Sequence, residues 1–443
     1  MNSPLSDPTF RRLFAAQICS LVGVGLLTVA LSLMAYRIGG AAAGGQVLGL
    51  LLALKMVAYV LLAPLAETLL SRVSRKRAMV GLDFGRMMLL LPMGLVTSTW
   101  QLAVLAFAFF VLAAGFTPLF QSVIPDVLPE EESYTRALAW SRIAYTLESV
   151  LSPVIAATLL NVVPGETLFY ASALAFLGSV VALLSTRFPS RGEAEGKGPF
   201  LKRALRGLWI YGRTPRLRGL FLLNFSLSLA MAWVLVNSVV YAGARLGDAE
   251  YFYPRLMVCY GLGAALGAIC AARFLRKVNE RSVMLLGAFG FAAIGVGFSV
   301  LPSLPFAGLA PVWVAFGAAS SLVLTPGGLI ITRSATRGNR AAVFAAQFSL
   351  SHAGWLIAYP LAGWLAAQLS LEWALLILSL TCAVVAAAAM VVWPAHDPLE
   401  RTHSHPELAE DHPHLNAVPA QGSLHSHLHD FRIDELHPVW AKG

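Results

Sequence analysis

The chain has 443 residues, of which 57% are hydrophobic and 12% charged, with a mean hydropathy of +0.70. A soluble domain carries about 25% charged residues, so this chain has too little charge to coat a water-facing surface and is not an ordinary soluble enzyme. Its net charge of +9 fits either nucleic acid or a membrane, and position along the chain has to separate the two.

Apolar runs fall at about 13–36, 45–70, 78–98, 101–121, 138–162 and 167–186. After a charged gap they resume at about 218–243, 255–275, 281–301, 306–330, 341–366 and 371–393. Each is long enough to cross hydrocarbon as a helix that satisfies its own backbone hydrogen bonds. The first run has no small-residue cleavage site and is too long for a signal-peptide core, so it stays as the first span.

The basic residues test this count. With the amino terminus in the cytoplasm and the gaps alternating, only Arg37, Arg245 and Arg255 of the 32 Lys and Arg residues fall outside, and only Lys55 and Arg86 fall within spans. All the others lie inside, as the positive-inside rule requires. The charge is therefore topological, which removes the nucleic-acid reading and predicts cytoplasmic termini in a bacterial inner membrane. The four cysteines (Cys19, Cys259, Cys270 and Cys382) sit in apolar runs without a CxxC pair, so no disulfide framework or zinc ribbon is expected. Gly261-Leu-Gly263 and Gly267 lie within the eighth span with no preceding strand and read as close helix packing. No motif supports enzymatic activity or a cofactor.

The halves repeat. Arg11-Arg-Leu-Phe is matched by Arg218-Gly-Leu-Phe, Ser71-Arg-Val-Ser-Arg-Lys76 by Ala272-Arg-Phe-Leu-Arg-Lys277, Thr117-Pro118 by Thr325-Pro326, and Arg136-Ala137 by Arg340-Ala341. The offsets are 207, 201, 208 and 204 positions. Four matches in order indicate a duplicated six-helix unit, an arrangement that places substrate between the halves near the bilayer midplane. The expected organisation is a six-helix bundle over 1–186, a cytoplasmic linker over 187–217, a second bundle over 218–394, and a disordered, His-bearing cytoplasmic tail over 395–443.

Ionisable side chains inside a membrane are functional candidates because each costs about 2.5–3.5 kcal/mol on insertion scales. Lys55 in the second span, Glu148 in the fifth and His352 in the eleventh all fall roughly 15–18 Å from a helix end at ~1.5 Å per residue, near the middle of the core. Glu148 is twelve past Arg136 and His352 twelve past Arg340, so the repeat makes them pseudo-symmetry partners. Polar stripes accompany them. Ser141, Tyr145, Glu148 and Ser152 share one side of the fifth span, and Ser349, His352 and Tyr359 one side of the eleventh. Gln17, Ser20 and Thr28 line the first, and Ser226, Trp233, Asn237 and Tyr241 the seventh. Their hydroxyls and amides serve equally as interhelical glue. Lys55 pairs with Glu148 when the site is empty, or else binds an anionic or chelated substrate; Tyr59, one turn on, holds it in place. Arg142, nearer the cytoplasmic surface, snorkels or makes a gate contact.

Over about residues 10–394 the chain resembles the major facilitator superfamily. The resemblance rests on the basic turn after the second span, Asp83-Phe-Gly-Arg86, and the stretch from Pro118-Leu-Phe-Gln121 to Ile124-Pro-Asp126-Val-Leu-Pro129, which together are similar to its exporter branch. Phe344-Ala-Ala-Gln347 through His352-Ala-Gly-Trp355 to Tyr359-Pro-Leu-Ala-Gly-Trp364, with the tail, is similar to nickel-resistance exporters. The resemblance implies twelve transmembrane helices in two pseudo-symmetric bundles, alternating access, and the first, fourth, seventh and tenth helices lining a cavity. It also implies gating contacts at Arg72, Arg75, Asp83, Arg86 and Asp126.

Nine of the ten histidines lie between His396 and His437. They cluster as His403-Ser-His405, His412-Pro-His414 and His425-Ser-His427-Leu-His429 beside Glu and Asp, a mixture suited to borderline divalent metals. These readings combine into an all-α membrane protein, monomeric, that exports a divalent transition metal in exchange for protons. Nickel or cobalt comes first, iron or zinc second. Substrate and coupling residues are Glu148, His352, Lys55, Gln17, Asn237, Tyr59, Tyr145 and Ser349. Two alternatives stand: export of an organic compound or siderophore chelate on the same fold, and a membrane metal receptor that does not transport.

Overall fold

In the computed structural model of the protein, helices account for nearly all regular structure. Residues 4–70, 73–128, 130–188, 200–301, 304–336, 339–398, 400–404, 426–434 and 436–440 are described. A short 3₁₀ turn, Pro4–Ser6, precedes α1 (Pro8–Leu70). Two membrane-length arms of α1 meet at Gly40, whose φ of +59° breaks the helix; an L side chain is disfavoured in this left-handed region, and glycine adopts it freely. The rest of the first half is α2 (Arg75–Met93), α3 (Thr99–Val127), α4 (Glu131–Leu159) and α5 (Thr167–Ser185).

The linker is not simply an irregular connection, because α6 (Phe200–Arg213) occupies much of it. The second half holds α7 (Pro215–Leu246), α8 (Ala249–Phe274), α9 (Glu280–Ser299), α10 (Phe306–Leu324), its short continuation α11 (Gly327–Ser334), α12 (Arg340–Gln368) and α13 (Leu371–Val392). Counting both arms of α1 and joining α10 to α11 gives the twelve expected spans. Among the described residues, eight stretches are long and apolar enough to cross a membrane, the first running from Pro8 to Val60 and so covering both arms of α1.

Within each half, α1 packs on α3, α4 and α5, and α7 packs on α8, α12 and α13. The packing suits hydrocarbon outside and polar groups inside. On α5, Leu174, Val181 and Leu184 are exposed while Ser172 and Ser179 are fully buried; Ser172 Oγ donates to the Gly23 carbonyl at 2.6 Å. Such hydrogen bonds fasten helices where lipid offers no partner.

The halves meet at the face farthest from the chain's amino terminus. There the second arm of α1 runs so close to α12 that a side chain on Gly49 would strike the backbone of Tyr359, and one on Gly363 the backbone of Gly45. Tyr253 Oη donates to Ser32 Oγ at 2.9 Å, and Arg255 Nη2 donates to Asn161 Oδ1 at 2.8 Å. Both of these hydrogen bonds join the two halves at this face.

The tail departs from the expected disorder. Strands β1 (Glu400–Ser404) and β2 (Ser426–Asp430) pair antiparallel, with Arg401 opposite His429 and His403 opposite His427. Beyond β2, Phe431, Ile433 and His437 are buried. Burying three such side chains offsets the entropy of ordering the segment, which composition alone does not reveal.

Candidate functional site

Lys55 projects from the second arm of α1, Glu148 from α4 and His352 from α12. The Lys55 ammonium is within Coulombic reach of both the Glu148 carboxylate and the His352 ring. Its Nζ also lies 5.7 Å from the centre of the Tyr59 ring and 5.9 Å from that of Phe110. Tyr59 stands 5.7 Å, centre to centre, from His352. Three ionisable groups far apart in sequence thus converge on one locus, with Lys55 within reach of the other two.

The histidine is oriented. Its Nδ1 is 2.7 Å from the Phe348 carbonyl oxygen, one turn earlier on α12. A carbonyl can only accept, so Nδ1 carries a proton, and the ring in its neutral form presents its lone pair at Nε2. The Phe348 ring lies against it, tilted by 34°, with the ring centres 3.9 Å apart. The carboxylate is held differently, by the close approach of α1. A Cβ on Gly25 would lie 2.6 Å from Glu148 Oε1 and would overlap Ser152. Gly25, Phe110 and Phe348 join the site without having been singled out in the sequence; apolar and small residues in a membrane helix carry no mark of which way they face. Among the described residues, no group of three or more His, Cys, Asp or Glu side chains is placed to hold a metal ion, so Glu148 and His352 bring no third ligand of those types with them.

Other expected residues fall elsewhere. Gln17 is buried within the first half, accepting a hydrogen bond from Ser141 Oγ at 3.0 Å. Asn237 belongs to the seam between the halves: it is fully buried, donates from Nδ2 to the Ala362 carbonyl at 3.0 Å, and abuts Gly45. Ser349 lies half-buried on α12, one turn before His352. Trp233 and Tyr241 pack with Phe298 and Trp313 inside the second half, so this aromatic stripe is core. The side chain of Tyr145 lies outside the described set.

Of the gating candidates, Asp83 and Arg86 pair within α2 and are 0% and 2% exposed. Ser179 Oγ of α5 donates to Asp83 Oδ2, and the Arg86 guanidinium sits 4.5 Å and 4.6 Å from the rings of Phe116 and Phe176. The pair therefore fastens α2, α3 and α5 inside one half, instead of facing the other half. Arg75 begins α2. Arg72 and the side chains of Asp126 and Arg142 lie outside the described residues. In the tail, His403, His427 and His429 occupy strand positions, whereas His405, His412, His414 and His425 lie outside the described residues.

Comparison with known proteins agrees with this architecture. The chain is 22% identical over 315 residues to macrolide efflux protein A of Streptococcus pyogenes, covering 68% of this chain and 74% of that one. It is 23% identical over 266 residues to macrolide efflux protein A of Enterococcus faecalis, covering 56% and 78%. A bacterial homologue of the human lysosomal transporter Spinster, in an inward-facing and unoccupied conformation, superposes with a TM-score of 0.70 at 16% identity, over 88% of this chain and 98% of that one. A D-xylose–proton symporter superposes with a TM-score of 0.64 at 13% identity, over 87% and 97%. The model of the Major Facilitator Superfamily matches residues 13–247 and 220–432; the chain is a member of that transporter superfamily.

Proposed function

We propose that the protein is a proton-coupled exporter of a divalent transition metal, nickel or cobalt first, working by alternating access in a bacterial inner membrane. The observation that carries this reading is that Lys55 lies within Coulombic reach of both Glu148 and His352, with His352 Nδ1 committed to the Phe348 carbonyl so that Nε2 is the nitrogen offered to a ligand. A hydrogen bond from Nδ1 to a carbonyl is the outer-shell arrangement that metal-ligating histidines use to fix their tautomer. With no substrate present, the Lys55 ammonium balances the Glu148 carboxylate across the dry centre of the molecule. A divalent cation arriving from the cytoplasm displaces the ammonium and takes Glu148 and His352 as ligands, with water or backbone oxygen completing its shell. After the halves rock, protonation of Glu148 releases the ion outward, which links the ion's exit to proton entry. In this reading the seal at the face remote from the amino terminus is the outer one, so the halves stand in the state from which an exporter loads. The tail, whose register places His403 opposite His427, supplies imidazoles on that side.

The test is Ni²⁺ flux in proteoliposomes under an imposed pH gradient. Wild type is expected to move Ni²⁺ against the proton flow. Glu148→Gln and His352→Ala should each lower the rate by about tenfold or more, since even outer-shell partners of a metal site are worth about 10–100-fold. Ni²⁺ binding without flux would favour a receptor and overturn export.

A second reading has its own support. The relatives are macrolide efflux proteins, and the rings of Tyr59, Phe110 and Phe348 surround Lys55 and His352. Such a site suits an organic compound or a metal chelate, whose anionic groups Lys55 would bind. Macrolide or chelate flux in the absence of Ni²⁺ flux would establish it.

A further inference from the structure

Residues beyond α13 do more than carry histidines. Asp397 sits between two arginines: its Oδ2 is 3.2 Å from Nε of Arg216 at the start of α7, and its Oδ1 is 3.2 Å from Nη2 of Arg401 in β1. Arg216 is only 3% exposed. The same two guanidinium groups lie over the ring of Trp440, at 5.1 Å and 4.9 Å from its centre. Trp440 in turn meets Phe431 edge-on at 5.4 Å. The last described residues of the chain are thus seated in a slot walled by the first turn of α7 and by the hairpin.

From this slot a line of contacts runs to the centre of the molecule. Pro438, two residues before Trp440, accepts a hydrogen bond from Arg213 Nη1, at the end of α6, at 2.5 Å. On the same helix, Tyr211 Oη donates to Gln347 Oε1 of α12, and Gln347 Nε2 donates to Ser351 Oγ at 2.7 Å. Burial raises the Tyr211 phenol well above its ordinary pKa, so it stays a donor at any working pH. Gly207 lets α6 lie against the backbone of α12 at Ala342. Ser351 immediately precedes His352.

We infer that the described tail segments, 394–398, 400–404, 426–434 and 436–440, form a strap that clamps α6 onto the second half, with Trp440 as its wedge, and that α6 thereby fixes the end of α12 leading to His352. The strap is independent of cargo. Arg401 is both a rung of the hairpin and a wall of the Trp440 slot, so separating β1 from β2 also opens the slot. Closing the strap makes tail, linker helix and second half a single body; opening it frees α6 from that body while leaving the first half untouched.

Hydrogen-exchange mass spectrometry on the full chain in lipid nanodiscs tests this. Loss of two cation–π contacts in Trp440→Ala should speed amide exchange by about tenfold both in 426–434 and in 207–213. Trp440→Phe, which keeps an aromatic face, should change it little. Thr402→Pro, which removes a donor from β1, should act like Trp440→Ala on both segments. In an Arg213→Ala background, the Trp440→Ala change should still release 426–434 but add nothing at 207–213. The inference is overturned if Trp440→Ala leaves 207–213 unchanged, or if 426–434 already exchanges in the wild type at the rate of an unstructured peptide.

Discussion

Gly25 and Glu148 show how one missing side chain sets the position of a charge. Because a Cβ at residue 25 would overlap Ser152 and fall 2.6 Å from the Glu148 carboxylate, Gly25→Val should push Glu148 off its locus. The expected outcome is a transport rate lower by about tenfold or more, in keeping with the cost of misplacing a site group by an ångström, while size-exclusion profiles stay monodisperse. A different residue-scale consequence follows from the Asp83–Arg86 pair. Removing the carboxylate from a fully buried pair leaves an uncompensated guanidinium, and breaking such pairs costs about 3–5 kcal/mol. Asp83→Ala should therefore lower the unfolding temperature of the purified protein. Asp83→Asn, which still accepts a hydrogen bond from Ser179, should lower it less. At this scale the sequence singled out Lys55, Glu148 and His352 through the depth expected from helical rise. The rings of Phe110 and Phe348 were not legible, since an aromatic residue in a lipid-spanning helix fits core, lipid and site equally well.

Among the elements, α6 and the hairpin separate sequence from structure most clearly. The run from Leu205 to Arg213 alternates Arg206 and Arg213 with Leu205, Leu208 and Trp209, and those three apolar side chains remain 36–55% exposed. That pattern is the mark of a helix lying in a membrane interface, and it was available in the sequence of the stretch expected only as a linker. The hairpin had no comparable signal, because two five-residue strands separated by a long insert pair only when a surface receives them. Asp434 contributes to that docking. Burial works to raise its pKa, but hydrogen bonds from the His437 ring and backbone outweigh it and hold the carboxyl below its ordinary value. A lowered folded value means that the stabilisation is complete above the unfolded value of 3.8 and is lost as pH falls through the folded one. The trypsin resistance of the tail at pH 7 should accordingly be reduced by Asp434→Ala.

For the whole molecule, the seam of Gly45, Gly49 and Gly363 is where the two halves come closest. Small residues let helix backbones approach, and a bulky side chain there opposes closure without touching Lys55, Glu148 or His352. Gly49→Trp should hold the halves apart at this face. A cysteine at Ser32 should then react with a membrane-impermeant maleimide added from outside several-fold faster than in the parent, as a shift in the population of the two states requires. Unchanged labelling would show that the seam does not act as the outer gate.

The amino-acid sequence by itself determined the all-helical fold and the number of spans, and it set the expectations for the side on which basic residues lie, the duplication and the depth of the ionisable side chains. Each of these follows from hydropathy, charge or helical rise along a single chain. Only the tertiary structure decided which polar residues meet. Packing assigned Asn237 to the seam and Asp83 with Arg86 to the inside of one half, set Lys55 within reach of both Glu148 and His352, and seated Trp440 between Arg216 and Arg401. Helical phase gives a side chain's direction around its own axis, but the neighbour it faces depends on how the helices are placed against one another.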